Sequence, residues 1–249
     1  MLSVIVIVKN EEANLRVCLN SVRWADEIIV LDSGSTDNTL AVAREFTDKV
    51  YSADWPGYGL QKQRALEYAT GTWILNLDAD EVVSDALRQE ICTVIQQDKA
   101  DAYRSPIYLN FYGKSLYYSW SPKHHVRLYK RLGARYTDAI VHESIMLPPQ
   151  ARLGQLKEGI QHHSIQDITH ALHKMNVYSS CSAAMRKQQR GTPSLLKVVL
   201  SACWMFFRCY ILQGGFLEGK DGFLLAVLSA EGSFYRGIKM IYHDKESLI

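Results

Sequence analysis

Trp73-Ile74-Leu75-Asn76-Leu77-Asp78-Ala79-Asp80-Glu81 is a short apolar run that ends abruptly in three carboxylates. Residues 73 to 77 have the length of a central strand, and four of the five are apolar, as in a strand covered on both faces. Asp78 and Asp80 then fall just past its carboxyl end, where open α/β sheets place their ligands. Two acids one residue apart on backbone leaving a strand can divide the work. One reaches a sugar hydroxyl while the other coordinates a hard divalent ion shared with a phosphate. The bland alternative is a solvated acidic turn before a helix, with Ser84 as its N-cap.

Working outward, the stretch before it repeats one pattern. Leu2 to Val8 is a β-branched run that reads as a buried parallel strand, and Lys9-Asn10-Glu11-Glu12 follows as a polar turn. From Ala13 to Val22 the apolar positions Leu15, Cys18, Leu19 and Val22 fall at helical spacing. Glu27 to Leu31 is the next strand, and Asp32-Ser33-Gly34-Ser35-Thr36-Asp37 leads from it into a helix from about Asn38 to Phe46. Such a turn offers a helix N-cap and also presents backbone N–H groups and a carboxylate to a ligand. Lys49 to Tyr51 is a candidate third strand. Asp54 to Gly59 is a loop rich in Gly and aromatics, and a helix runs from about Leu60 to Ala69, where Gly71 stops it. Lys62 and Arg64 near that helix start oppose its dipole, so either an anionic ligand or simple solvation explains them.

After the acidic triplet, Asp85 to Gln97 is a helix with Leu87, Ile91, Val94 and Ile95 on one face. The alternating α/β pattern ends there, and a Tyr-rich segment from Tyr103 to Tyr118 begins. Val126 to Lys130 alternates like a strand, and Asp138-Ala139-Ile140-Val141-His142-Glu143 closes another short apolar run with an acid. Glu143 is a candidate general base with His142 beside it, and His162 and His163 are adjacent imidazoles able to complete a metal site begun by Asp80.

Composition sets the outer bounds. The 249 residues are 47% hydrophobic and 22% charged, values typical of a globular enzyme. A net charge of +2, with no basic run interleaved with aromatics, argues against a nucleic-acid partner. The five cysteines are odd in number and form no Cys-x-x-Cys pair, which points to a reducing compartment. The amino terminus reads as a strand rather than a signal peptide, so a cytoplasmic location is expected.

Three ordered motifs, Val6-Ile7-Val8-Lys9-Asn10-Glu11-Glu12, Asp32-Ser33-Gly34-Ser35-Thr36-Asp37 and Leu77-Asp78-Ala79-Asp80, resemble glycosyltransferase family 2. These are inverting, nucleotide-sugar-dependent enzymes of GT-A fold. The resemblance covers about residues 2 to 145. Val126-Arg127-Leu128-Tyr129, Val141-His142-Glu143 and the His162-His163 segment look most like the bacterial lipopolysaccharide-core β-glucosyltransferases. The resemblance implies a Rossmann-like, mostly parallel α/β sheet flanked by helices. It implies that Val8, Lys9, Asn10 and Glu11 border the nucleotide and that Asp32 meets the uracil. Arg64 would lie near the base or diphosphate, and Asp78 and Ala79 against the nucleotide sugar. Asp80, with Asp78, His162 and His163 as further ligands, would bind Mg2+ or Mn2+. Glu143 is the implied base. The family's Glu-Asp motif is missing from the corresponding region, so Asp138 competes for that role. The implied partners are a UDP-sugar donor and a lipopolysaccharide core or other lipid-linked glycan acceptor.

The carboxyl-terminal third reads differently. Leu195 to Leu212 is almost continuously apolar, but Lys197 and Arg208 interrupt it, so a plain membrane span is disfavoured. On a helical wheel Ser194, Lys197, Ser201 and Arg208 share one stripe, as in a helix lying in a membrane interface. A second helix from about Phe223 to Tyr242 gathers Ser229, Arg236, Lys239 and His243. Either a lipid-docking hairpin or a buried helical pair that covers the sheet or makes a homo-oligomer contact fits this pattern. The expected organisation is a transferase domain over 1–190, with nucleotide-binding and acceptor-side halves over 1–100 and 101–190, and an amphipathic helical region over 191–249. The expected location is peripheral, on the cytoplasmic face of the inner membrane.

Two readings compete. Asp78-Ala79-Asp80-Glu81-Val82 also fits the nucleophile motif of haloacid dehalogenase-type phosphatases, but there it sits on the first strand and a later Gly-Asp-x-x-x-Asp is expected. A catalytically inactive membrane adaptor would keep the fold without needing Asp32, Asp78 and Asp80 together.

Overall fold

The structure is a computed structural model. It describes the chain apart from residues 112, 121, 139–142, 166 and 243–249 and the side chains of 164, 170, 181 and 188–190. His142 and His243 lie outside the described residues. The chain divides into two compact units, Met1–Tyr108 with Lys123–His163, and Leu109–Pro122 with Ser164–Ile249.

In the first unit, β1 (Leu2–Val8), α1 (Glu12–Ser21), β2 (Glu27–Asp32), α2 (Thr39–Arg44), β3 (Val50–Ser52), α3 (Tyr58–Tyr68) and β4 (Trp73–Asp78) alternate as their apolar runs and helical spacings predict. β5 (Glu81–Val82), α4 (Asp85–Gln97), β6 (Ala102–Phe111), β7 (Lys114–Ser115), β8 (Lys123–Lys130), β9 (Arg135–Tyr136), β10 (Ile145–Met146), β11 (Leu153–Gln155) and β12 (Ile160–Ile165) follow along the chain, with β7 and the ends of β6 and β12 belonging to the second unit. The sheet order is β3-β2-β1-β4-β8-β6-β12-β5. β1 to β4 pair in parallel, and β8 runs antiparallel to β4 and β6.

Both faces of the parallel half are covered, which is why β1 is buried along its whole length. Successive side chains point to opposite faces. Val4, Val6, Val30, Leu75 and Leu77 therefore pack with Leu15, Leu19, Leu87 and Ile91 of α1 and α4. Ile5, Ile7, Ile29, Leu31 and Ile74 pack with Ala65 and Leu66 of α3 on the other side. Asn76 and Asp78 share the face of Ile74, so β4 aims its last carboxylate at α3. Ser84 caps α4 by accepting from the Leu87 amide (3.2 Å). Gly71 lies past the Ala69 C-cap, and its role is a close approach instead: a Cβ there would sit 2.8 Å from the Ser3 amide nitrogen.

The second unit holds three long helices, α5 (Ile168–Arg190), α6 (Leu195–Phe207) and α7 (Lys220–Tyr242). Its core joins Leu109, Phe111 and Leu116 to Ile165, Ala171, Leu225 and Leu228. α5 has no counterpart in the sequence reading. Its buried positions include Ala171, Ser179 and Ala183, while Leu172, Val177, Tyr178 and Met185 are exposed, so no apolar stripe marks it. α6 continues as a π-helical turn, Arg208–Leu212. α6 and α7 meet closely at Gly237, where a Cβ would lie 2.6 Å from both Val198 methyls.

The polar stripe of α7 does not face outward. Ser229 accepts from the Trp120 indole (2.6 Å), and the Lys239 ammonium donates to Asn176 Oδ1 (2.7 Å) and to the Ser179 and Ser180 hydroxyls of α5. The two helices are therefore unequal, with α7 on the inside and α6 on the outside of the pair.

Candidate active site

The loops leaving β1 and β2 are laced together. The Ser33 amide donates to Val8 O (2.9 Å), Asn10 takes a left-handed backbone (φ 55), and its Oδ1 accepts from the Thr36 amide (2.8 Å). The Glu11 amide donates to Thr39 Oγ1 (2.8 Å). Lys9 and Asn10 are exposed at the rim. Asp32 is buried and accepts from the Gly34 (2.9 Å) and Ser35 amides, so its first task is to shape its own turn. Gln61 of α3 donates to Ser33 Oγ (2.9 Å) and fixes that turn against the helix. Arg64 is turned to the loop before α3, where it pairs with Asp54 (2.9 Å).

At the end of β4 the acidic triplet splits three ways. Asp78 Oδ1 lies 3.0 Å from Lys62 Nζ, and Oδ2 lies 2.8 Å from Arg127 Nη2. Burial opposes the charge on Asp78, but Arg127 and Lys62 outweigh it and hold the carboxyl well below its usual range. Glu81 is buried. It accepts from the Asp78 amide (2.9 Å) and pairs with Arg127 Nη2 (2.5 Å). Burial pushes its pKa up to about 7, against the opposing pull of Arg127. Asp80 turns the other way. Its carbonyl accepts from the His163 amide (2.8 Å), and its Oδ2 lies 3.1 Å from His162 Nε2. Burial alone would lower the His162 pKa, but the Asp80 contact raises it. Ala79 is buried between the two acids.

Lys62 ties the site together. It is 4% exposed, and its ammonium lies 2.6 Å from Glu143 Oε1 as well as 3.0 Å from Asp78. A pocket of about 390 Å³ gathers Lys62, Asn76, Asp78, Arg104, Arg127 and Glu143. Two buried polar atoms of its lining residues, Asn76 Oδ1 and Arg127 Nε, have no hydrogen-bond partner among the described residues. Asp138 is exposed and is not among the residues lining this pocket.

The structure thus gathers Asp78, Lys62 and Glu143, pairs Asp80 with His162, and sets Arg64 on another partner. Asp78 lends both oxygens to cations of the chain itself. Among the described residues no cluster of three or more His, Cys, Asp or Glu side chains is placed to hold a metal. The Asp80–His162 pair still suits a hard or borderline divalent ion that takes its remaining ligands from phosphate and water. Sequence reading gave no role to Arg127 or Glu81. The signal was present in Val126-Arg127-Leu128-Tyr129: an Arg between Val, Leu and Tyr in a strand that is buried there needs carboxylate partners.

Comparison with known proteins bears on this geometry. The model of the family described as "Glycosyl transferase family 2" matches residues 3–148. The chain is 31% identical over 251 residues to an uncharacterized glycosyltransferase of Rickettsia bellii, covering 96% of this chain and 85% of that one. It is 30% identical over 252 residues to the lipopolysaccharide core biosynthesis glycosyltransferase LpsC of Rhizobium meliloti, covering 96% and 91%. The crystal structure of S. aureus TarS residues 1–349 in complex with UDP-GlcNAc superposes with a TM-score of 0.50 at 16% identity, covering 96% of this chain and 81% of that one. That likeness is one of fold, a mostly parallel sheet flanked by helices in the GT-A manner. With strand-end acids where the three motifs put them and the family match running from β1 past Glu143, the chain belongs to glycosyl transferase family 2, and it is a glycosyltransferase.

Proposed function

We propose that this glycosyltransferase moves a hexose, with glucose as the expected sugar, from a UDP-sugar to a lipid-linked saccharide. The heptose of a lipopolysaccharide inner core is the expected acceptor, and the product is β-linked. The observation that carries the reading is the paired arrangement at the end of β4: Asp80 with His162, and, joined through Lys62, Asp78 with Glu143. The similarity to a lipopolysaccharide core glycosyltransferase supports the acceptor class.

The laced loops of β1 and β2 present Lys9, Asn10 and the Asp32 turn to the nucleotide. Asp80 and His162 would hold Mg2+ or Mn2+, which when bound neutralises charge on the departing nucleotide diphosphate. Glu143 takes the proton from the acceptor hydroxyl as it attacks. Lys62 fixes the Glu143 carboxylate against Asp78 and so sets the direction of that proton transfer. Attack opposite the leaving group inverts the anomeric carbon, so an α-linked donor yields a β-linked product. Asn76 and Arg127 line the pocket beside Lys62 and Glu143 and would border the transferred sugar.

The test is incubation of the purified chain with UDP-glucose and truncated lipopolysaccharide ending at inner-core heptose, followed by NMR of the product. Acceptor-dependent UDP release with a β-anomeric signal supports the reading. Absence of sugar transfer from any UDP-hexose to this acceptor overturns it.

A further inference from the structure

The exposed side of α6 is apolar in a way the packing of the second unit does not use. Leu195, Leu196, Val199, Leu200, Trp204 and Phe207 are each 41–68% exposed and recur at helical spacing, so they form one continuous stripe. Val198 and Cys209 face the other way, into the unit. The stripe continues through Ile211 and Leu212 to Phe216 and Leu217, all 45–59% exposed. Leu195 to Leu212 has a mean hydropathy of 1.7, yet only 11% of it is buried. A surface helix in water usually turns its apolar side inward, whereas α6 leaves most of its large apolar side chains exposed.

Charge points to what covers it. From Ile168 to Leu217 the sequence contains no Asp or Glu, while it contains Lys174, Arg186, Lys187, Arg190, Lys197 and Arg208. The next acids along the chain, Glu218 and Asp221, are neutralised by Lys114 at 3.2 and 3.6 Å. Lys197 and Arg208 fall on one margin of the apolar stripe, beside Ser201, whose hydroxyl meets Ser233 of α7 (3.0 Å). An apolar face edged by bases and cleared of acids matches the boundary between acyl chains and anionic headgroups. A second copy of this chain fits less well, because an isologous contact would bring two basic margins together with no acid to answer them.

We propose that the exposed face of α6, with Ile211, Leu212, Phe216 and Leu217, lies in the interface of an anionic phospholipid bilayer, with Lys197 and Arg208 at headgroup level. The helix lies along the surface and does not span it. A span would carry the attached α7, with Glu231 and Arg236, into hydrocarbon. The chain then binds the membrane surface peripherally. This inference stands on α6 alone and does not depend on the donor or acceptor.

The test is flotation of the full chain with phosphatidylcholine vesicles, with and without phosphatidylglycerol, at low and raised salt. Three proteins are compared: the unaltered chain, Leu196→Ser/Leu200→Ser/Trp204→Ser, and Lys197→Glu/Arg208→Glu. All altered positions are exposed, and circular dichroism checks that each variant folds. Binding to the phosphatidylglycerol vesicles that weakens with salt is expected. It should fall about tenfold or more on charge reversal and vanish in the apolar variant. Failure to float with anionic vesicles, or equal flotation with neutral ones, overturns the proposal. So does a dimer in light scattering that the apolar variant dissociates, since a second copy would then cover the face.

Discussion

Replacing Lys62 by Met isolates the contact that joins the site. The ammonium is 3.0 Å from Asp78 and 2.6 Å from Glu143, so at an effective dielectric of about 20 each attraction is worth about 6 kcal/mol before desolvation. Removing one partner of a buried ion pair typically costs about 3–5 kcal/mol, because the remaining charge is left buried without compensation. Asp78 keeps Arg127, whereas Glu143 has no other cation within salt-bridge reach among the described residues, so most of the loss should fall on Glu143. Lys62→Met should therefore lower stability by about 3–5 kcal/mol at neutral pH. The loss should shrink in acid, because Asp78, whose carboxyl Lys62 helps hold below its usual range, takes up a proton more readily once the ammonium is gone. Lys62→Met/Glu143→Gln should recover about 1–3 kcal/mol of it, as coupled neighbours do. Urea unfolding followed by circular dichroism at pH 5 and pH 8 measures all three. A single-variant loss below about 1 kcal/mol, or a double variant no better than the single, would refute the idea that Lys62 holds the two acids together.

Three further outcomes are expected. Glu143→Gln should lower transfer about 10²–10⁴-fold while UDP binding is kept, and Asp138→Asn should leave transfer within a few-fold; steady-state kinetics with the acceptor distinguishes them. Glu81 is an acid whose folded pKa, about 7, is raised above its ordinary 4.5, so its contribution to stability is fully present below 4.5 and is lost as pH rises through 7. Glu81→Gln should flatten that slope, read as denaturant midpoints across pH. Gly237→Ala sets a gain of up to about 1 kcal/mol in helix propensity against overpacking of about 1–3 kcal/mol at Val198. The clash at 2.6 Å with a stiff β-branched side chain should win and lower the melting temperature. A rise in melting temperature would mean that α6 and α7 are not so closely apposed.

The parallel half of the sheet was legible because its evidence is local. Leu2 to Val8, Glu27 to Asp32 and Trp73 to Asp78 are apolar runs ending in turn residues, and the helices between them carry apolar stripes. The strand-end positions of Asp32, Asp78 and Asp80 follow from the same pattern. What each acid does was less legible, because it depends on side chains distant in sequence. Asp78 reads as a metal or ribose ligand, and its ion pairs with Lys62 and Arg127 could not be read from its neighbours in sequence. Glu81 reads as part of a solvated acidic turn until it is found buried against Arg127. α5 escaped notice because its buried positions are small or polar residues. The second helical stripe left a lipid-docking hairpin and a buried pair equally open, because the partners of Ser229 and Lys239, Trp120 and α5, lie far away in sequence.

The ends of β1, β2 and β4 are expected to hold a nucleotide diphosphate, with a divalent ion at Asp80 and His162. Calorimetric titration of the purified chain with UDP, with and without Mn2+, alongside Asp80→Ala, tests it most directly. Binding that requires Mn2+ and is lost in Asp80→Ala is the predicted result. Absence of UDP binding under every condition, or equal binding without the ion and in the variant, would contradict it.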